Sequence, residues 1–202
     1  MHSIISFLKR FHEDQQGSMA IELLLVTPIL VWVFLSTFVY FDVFRVETNS
    51  VRATITLAEM YSREDVIDAN FLDGARNVLR SLTYEEANPD YRVTVYRYRA
   101  SDDSFRSVWS ENRGMGSNLT DTDLAALQAE GRLPPMDEVD HNVFIETRTQ
   151  YDAPFNIGLG PFTATNLDDL TFTSDMIIRP RSGRLCWDPD PNIADDERCG
   201  PS

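Results

Sequence analysis

A long run of uncharged residues lies near the N-terminus of the chain. From position 23 to 41 there is no Asp, Glu, Lys or Arg, and thirteen of these nineteen residues are Leu, Ile, Val or Phe. About 20 apolar residues in a helix suffice to cross a bilayer. On an insertion scale the thirteen residues contribute about −4 to −8 kcal/mol, whereas Glu22 at the edge costs at most about 3 kcal/mol. The pattern therefore predicts one transmembrane helix at about residues 22–41.

The helical pattern continues beyond the apolar run. Residues 43–62 contain no Gly or Pro, and apolar residues recur there at helical spacing. These residues are Phe44, Val51, Ile55, Ala58 and Tyr61. We therefore expect one helix from Ser18 to Tyr61, with Pro28 kinking or locally loosening it. A break followed by a separate amphipathic helix is the alternative.

Shorter elements follow, separated by turn residues. A helix is predicted at 68–82, and another at 120–130, where Thr120 and Asp123 form a capping signal and Gly131 a stop. Alternating polar and apolar residues predict strands at 91–99, 105–109, 143–151 and 170–178. The predicted fold class is α+β, with a long N-terminal, partly transmembrane helix followed by an antiparallel-sheet domain.

The flanks of the apolar run indicate its direction in the membrane. Lys9 and Arg10 precede it, and basic residues favour the cytoplasmic side. A cleaved signal peptide would have a shorter apolar region and an A-x-A-like site, and the following sequence STFVYFDVFR contains none. We therefore expect a retained single-pass anchor with a cytoplasmic N-terminus and an extracytoplasmic C-terminal domain.

Acidic residues dominate the part of the chain after the apolar run. The formal net charge is −14, residues 1–17 sum to zero, and Glu22 is the only charge from 18 to 41, so residues 42–202 carry −13. A domain with this charge repels nucleic-acid phosphates and anionic lipid headgroups, so neither is expected as a partner. The same charge also serves solubility.

Two cysteines, Cys186 and Cys199, are separated by twelve residues near the C-terminus. They would remain free thiols in the cytosol and would pair in an oxidising compartment, which is where the expected topology places them. Five acidic residues lie between them: Asp188, Asp190, Asp195, Asp196 and Glu197. Clustered carboxylates can bind calcium, but they do not match the EF-hand pattern. A solvated acidic loop is the favoured interpretation, and no metal or other cofactor is predicted.

The sequence contains no motif that indicates catalysis. The GxSxG, HExxH, Walker A and GxGxxG patterns are all missing. His141 is the only histidine after the apolar run, and it follows Asp140 at the start of a predicted strand. Without a recognisable nucleophile, such a pair is more often a surface or strand-edge feature. We therefore do not expect an enzyme, and an anchored enzyme that uses carboxylates is the weaker alternative.

The string GSMAIELLLVTPILVW, which begins at Gly17, resembles a type IV prepilin processing site. Its glycine, the glutamate five residues on (Glu22) and the proline six residues after that (Pro28) are similar to those of TadE-type minor pseudopilins of the tight-adherence, or Flp-type, pilus. TadF-type and TadG-type components share this N-terminal pattern. The resemblance covers about residues 11–45.

This resemblance implies how the N-terminal region would work. A prepilin peptidase would cut between Gly17 and Ser18 on the cytoplasmic face of the bacterial inner membrane. Glu22 would then neutralise the new Ser18 amine of a neighbouring subunit as helices bundle, and Pro28 would belong to the same assembly region. A carboxylate in a low-dielectric medium is tolerable when it is paired in this way. The alternative is that Glu22 lies in the headgroup region and needs no partner.

The same resemblance implies a division of the chain and a set of partners. Residues 1–17 would be the leader, 18–62 the long helix with its membrane segment at about 22–41, and 63–202 an acidic periplasmic α+β domain. The C-terminal disulfide loop of that domain is expected from the membrane topology and not from the resemblance. Other pilins and minor pseudopilins, the prepilin peptidase and the inner-membrane assembly platform would be the partners. The protein would help to initiate or cap a pilus that supports surface attachment. An uncleaved, membrane-anchored periplasmic scaffold or sensor domain is the alternative function.

Overall fold

The computed structural model describes residues 16–83, 89–138, 140–154 and 170–188. Among these residues the elements are α1 (Gln16–Ser62), β1 (Val66–Ile67), α2 (Ala69–Thr83), β2 (Asp90–Arg99), β3 (Ser104–Arg113), α3 (Asp121–Ala129), β4 (His141–Gln150), β5 (Thr171–Ile178) and β6 (Cys186–Trp187). The chain divides into two compact units: Met1–Val43 with Ala153–Asp168, and Phe44–Asp152 with Asp169–Ser202. The predicted α+β class is confirmed, as is the long apolar helix that precedes an antiparallel sheet.

Four antiparallel strands form the main sheet of the second unit, in the order β3–β2–β4–β5. Strand β2 is paired along both edges, with β3 and with β4, and β5 is aligned with β4 from Thr171 to Ile178. A bulge interrupts the pairing of β2 with β3 between Val95 and Tyr96. The strand order makes β3 and β5 the outer strands of this sheet. Of these two strands, β3 carries a bulge and β5 does not.

Two apolar clusters cover the two faces of the sheet. On one face Val93 and Ile145 contact buried residues of α1 and α2, among them Leu57 and Leu72. On the other face Tyr96, Phe105 and Phe144 contact Leu124 and Leu127 of α3. The alternation of side chains along β2 and β4 produces this division, because successive residues point to opposite faces.

The C-terminal part of α1 buries a different face from the one its apolar residues predict. Ala58 and Tyr61 are buried as expected, but Phe44, Val51 and Ile55 are about half exposed. The fully buried positions recur at helical spacing and are Ser50, Ala53, Thr54, Leu57, Ala58, Tyr61 and Ser62. Small residues on this face allow close approach of the helix to the sheet, which explains why the most apolar stripe is not the buried one.

Three local features extend or refine the predicted elements. Strand β3 ends at Arg113 rather than near Trp109, because pairing with β2 holds a polar stretch whose own pattern does not alternate. Helix α3 has the predicted capping box, in which Thr120 accepts a hydrogen bond from the Asp123 N–H and the Asp123 carboxylate accepts one from the Thr120 N–H. The short parallel pair of β1 and β6 was not predicted, since two-residue strands carry no periodicity.

Candidate functional site

The N-terminal part of α1 exposes nearly all of its large apolar side chains. Exposure is 79% for Met19, 73% for Leu24 and 71% for Phe34. We call residues 19–41 the apolar segment; its exposed large side chains are Met19, Ile21, Leu23, Leu24, Leu25, Val26, Ile29, Leu30, Val31, Trp32, Val33, Phe34, Phe38, Tyr40 and Phe41. A helix that is apolar all round requires a lipid or protein environment. Exposed apolar surface on this scale marks an interaction site.

The apolar segment also meets the requirements of a membrane-crossing helix. In the described chain α1 is the helix that is long and apolar enough to cross a bilayer, and it lies near the N-terminus. The hydroxyls of Thr27 and Thr37 donate to the carbonyls of Leu23 and Val33, at 2.6 and 2.8 Å. Because lipid offers no hydrogen-bond partners, satisfaction of these hydroxyls within the helix lowers the cost of insertion.

The residues of the predicted processing site lie at the N-terminal end of α1. Gly17 and Ser18 belong to the helix, and Glu22 is exposed one turn farther along. Residues four positions apart lie on the same side of a helix. The backbone on both sides of the Gly17–Ser18 bond is therefore helical, and the Ser18 and Glu22 positions share one side of α1. Cleavage at this bond stays a prediction.

Pro28 lies inside α1, and the helix continues through it. A proline has no N–H, so the carbonyl of Leu24 loses its usual helical donor. The Thr27 hydroxyl donates to the Leu23 carbonyl. It therefore does not supply the donor that the Leu24 carbonyl lacks. In lipid, an unsatisfied carbonyl is costly unless a neighbouring helix or water supplies a donor. The role of Pro28 in assembly stays a prediction.

Asp140 and His141 have different surroundings. The Asp140 carboxylate makes an ion pair with Arg179, and among the described residues His141 Nδ1 has no hydrogen-bond partner. Burial lowers the pKa of His141 first, and the nearby charges of Arg97 and Arg184 lower it further. The imidazole is thus held neutral at neutral pH and is not positioned by Asp140.

The candidate calcium loop falls mostly outside the described residues. Asp190, Asp195, Asp196, Glu197 and Cys199 all lie outside them, so their proposed roles stay predictions. Cys186 is disulfide-bonded, and its backbone N–H donates to the Asp65 carbonyl at 2.9 Å. Asp188 is nearly buried. Within the part of the chain that the structure describes, no group of three or more His, Cys, Asp or Glu side chains is placed to hold a metal ion.

A buried polar contact that the sequence did not reveal joins α1 to the sheet. Thr54 Oγ1 lies 2.6 Å from Thr147 Oγ1, and the Thr147 hydroxyl also reaches the Ser174 carbonyl at 3.3 Å. One turn earlier, Ser50 lies on the same buried face of α1. The signal was the pair of small polar residues at positions 50 and 54, four apart in a helix. Apolar periodicity alone does not detect such a face.

No protein-family model, curated protein or solved structure matches this chain. Function is therefore inferred from the residues of α1 and of the sheet unit themselves.

Proposed function

We propose that this protein is a membrane-anchored minor pseudopilin of a tight-adherence-type pilus. The apolar segment of α1 would lie in the bacterial inner membrane and contact the equivalent helices of other pilins during assembly. One observation carries the proposal: residues 19–41 expose nearly all of their large apolar side chains, and a glycine just before this segment and a glutamate within it stand at prepilin spacing, Gly17 and Glu22.

Processing after Gly17 would give Glu22 its function. The cut creates a positively charged amine at Ser18, and the Glu22 carboxylate of a neighbouring subunit would pair with that amine. Each charge alone is costly in a low-dielectric medium, whereas the pair offsets part of that cost. The pairing also specifies how far one helix is displaced along another, because only one register brings the two charges together.

The remaining assignments follow from this topology. The N-terminus would be cytoplasmic and the sheet unit periplasmic, where an oxidising environment suits the disulfide of Cys186. The prepilin peptidase would act on residues 1–17, and other pilins, minor pseudopilins and the inner-membrane assembly platform would contact the mature helix. The protein would initiate or cap the fibre, which supports attachment to surfaces.

Replacement of the carboxylate tests this function. We expect Glu22→Ala to leave cleavage after Gly17 largely intact and to reduce piliation strongly, because the Ser18 amine of the next subunit loses its counter-charge. Glu47→Ala is the matched control, since Glu47 is an exposed glutamate of the same helix outside the apolar segment. Pili would be counted by electron microscopy and cleavage followed by intact mass. Normal piliation in Glu22→Ala would contradict the pairing.

An uncleaved periplasmic scaffold or sensor domain is the second candidate. The acidic residues Glu13 and Asp14 favour it, because they offset Lys9 and Arg10 within the segment that a peptidase would have to recognise. In this case Glu22 would lie in the headgroup region and would not pair with the amine of a neighbouring subunit. The mass of the mature chain separates the two functions.

A further inference from the structure

Strand β5 has an outer edge whose backbone groups point away from the sheet. The Tyr151 N–H donates to the Leu170 carbonyl at 2.8 Å, which makes this a hydrogen-bonded pair of the β4–β5 ladder. Hydrogen-bonded and non-hydrogen-bonded pairs alternate along antiparallel strands, and the register of β5 continues without a shift. The residues whose N–H and C=O groups point outward are therefore Thr171, Thr173, Asp175 and Ile177. No described residue donates to or accepts from these groups.

The opposite edge of the sheet is protected, which makes the open edge of β5 distinctive. The Ser107 N–H of β3 donates to the Asp121 carboxylate at 2.8 Å, and β3 also carries the bulge opposite Val95 and Tyr96. Bulges and charged side chains are the devices that prevent strands from adding to an edge. Strand β5 has eight residues, no proline and no bulge, and its one charged residue, Asp175, is paired with Arg132 at 3.0 Å.

The side chains beside this edge differ between the two faces of the sheet. On one face Met176 and Ile178 are partly buried against the α1–α2 core, so apolar surface continues to the edge. On the other face a cleft of about 490 Å³ opens beside Ile177, and it is lined by Asp137 and Asp140 with a single guanidinium, that of Arg179. An added strand would therefore meet apolar surface on one face and excess negative charge on the other.

We propose that the β5 edge binds an extended segment of another protein in which apolar and basic residues alternate. The outward backbone groups would supply the main-chain hydrogen bonds, and the side-chain period of two would place alternate residues on the two faces. A basic segment fits because Asp137 lies in the cleft and residues 42–202 carry −13. That charge opposes pairing with a second copy of this chain. This interface lies outside the apolar segment and does not depend on cleavage after Gly17.

Hydrogen exchange of the full-length protein in nonionic detergent tests the interface. The probe is an acetylated, amidated octapeptide that alternates valine and lysine, and the matched control peptide alternates valine and glutamate. We expect the lysine peptide to slow exchange of the amides of Thr171, Thr173, Asp175 and Ile177 by about tenfold or more. The glutamate peptide should leave them unchanged. Equal protection by both peptides, or by neither, would overturn the proposal, as would amides already protected in the free chain.

Two substitutions separate edge binding from other modes of peptide binding. Thr173→Pro removes an outward N–H, a position where an edge strand tolerates proline, and should abolish protection. Thr173→Val keeps the donor and should preserve it. Asp137→Lys reverses a charge in the cleft without changing the strand, and should weaken binding of the lysine peptide at least fivefold. Undiminished binding by Thr173→Pro or by Asp137→Lys would overturn the proposal, and Asp137→Lys provides this test even if Thr173→Pro fails to fold.

Discussion

The two parts of helix α1 use apolar side chains in opposite ways. In residues 19–41 nearly all large apolar side chains are exposed, whereas from Ser50 to Ser62 one face is buried against the sheet. That buried face includes serine, threonine and alanine as well as Leu57 and Tyr61. Hydrophobicity therefore does not predict which part of this helix is covered by its own chain. The most apolar part depends on an environment outside the chain, and the more polar part is held by its own domain.

The strongest test of this difference is a pair of identical truncations. Leu57→Ala leaves a cavity between α1 and the sheet, and we expect it to lower the free energy of unfolding by about 2–5 kcal/mol. Leu24 lies in the apolar segment and is 73% exposed. Leu24→Ala should therefore change the free energy of unfolding by less than about 0.5 kcal/mol. Denaturant unfolding of the detergent-solubilised protein, followed by near-ultraviolet circular dichroism, measures both. Equal losses of unfolding free energy in the two variants would contradict the difference between the exposed and the buried part of α1.

A positive charge inserted into each part of α1 should affect membrane insertion in the apolar segment and not in the part that packs on the sheet. Val31→Arg places a guanidinium in the middle of the apolar segment and costs about 3 kcal/mol of membrane insertion. Thr56→Arg places the same group on the exposed side of the C-terminal part of α1 and should leave membrane insertion unchanged. The fraction of protein that resists carbonate extraction from membranes is the measurement. The opposite result, in which the Val31→Arg variant stays fully in the membrane and the Thr56→Arg variant is extracted, would contradict this expectation.

Alkaline pH should weaken the packing of the buried part of α1 on the sheet. Tyr61 Oη lies 3.1 Å from Tyr91 Oη; burial raises the pKa of Tyr91 to about 12 and also raises that of Tyr61. The unfolded chain releases these protons near pH 10, so the unfolding free energy is unaffected below that pH and falls above it. For Tyr91 we expect a loss of about 2–3 kcal/mol by pH 12.

The double variant Tyr61→Phe, Tyr91→Phe provides the control for this pH dependence. It removes both groups that titrate between the helix and the sheet, and unfolding titrations between pH 9 and 12 should then show a flatter profile. An unchanged slope in the double variant would place the pH dependence elsewhere in the molecule.

The smallest expected effect concerns the buried threonine pair. Thr54→Val removes the hydroxyl that lies 2.6 Å from Thr147 Oγ1 and should cost about 1 kcal/mol of unfolding free energy. Thr48→Val removes an exposed hydroxyl that bonds only its own helix, at the Phe44 carbonyl, and should cost less. The same denaturant experiment distinguishes them, and a larger loss for Thr48→Val would mean that the polar contact does not hold α1 on the sheet.

Local sequence signals predicted the elements of this fold better than their contacts. The alternation in β2, the capping box of Thr120 and Asp123 and the uninterrupted helical pattern each appear within a few neighbouring residues, and each was confirmed. The buried face of α1 was misassigned because its burial depends on distant contacts, such as that of Thr54 with Thr147, 93 positions away. The open edge of β5 depends on strand order, which has no local signal either.

In the candidate site, too, some features could be predicted from the local sequence and others could not. Exposure of the apolar segment follows directly from its composition, so a helix able to cross a membrane could be predicted and was found. The interpretation of Gly17, Ser18 and Glu22 rests on the resemblance, because their roles depend on a peptidase and a neighbouring subunit. The ion pair between Asp140 and Arg179 could not be predicted locally, since the two residues lie 39 positions apart along the chain.

The most direct test of the proposed function is the intact mass and N-terminal sequence of the protein purified from native membranes. We expect a chain that begins at Ser18, because in the proposed function cleavage after Gly17 would convert the apolar segment into an assembly helix with a free amine. A chain that still begins at Met1, from cells in which the prepilin peptidase is active, would contradict the proposal. Glu22 would then be an interfacial residue of an uncleaved anchor.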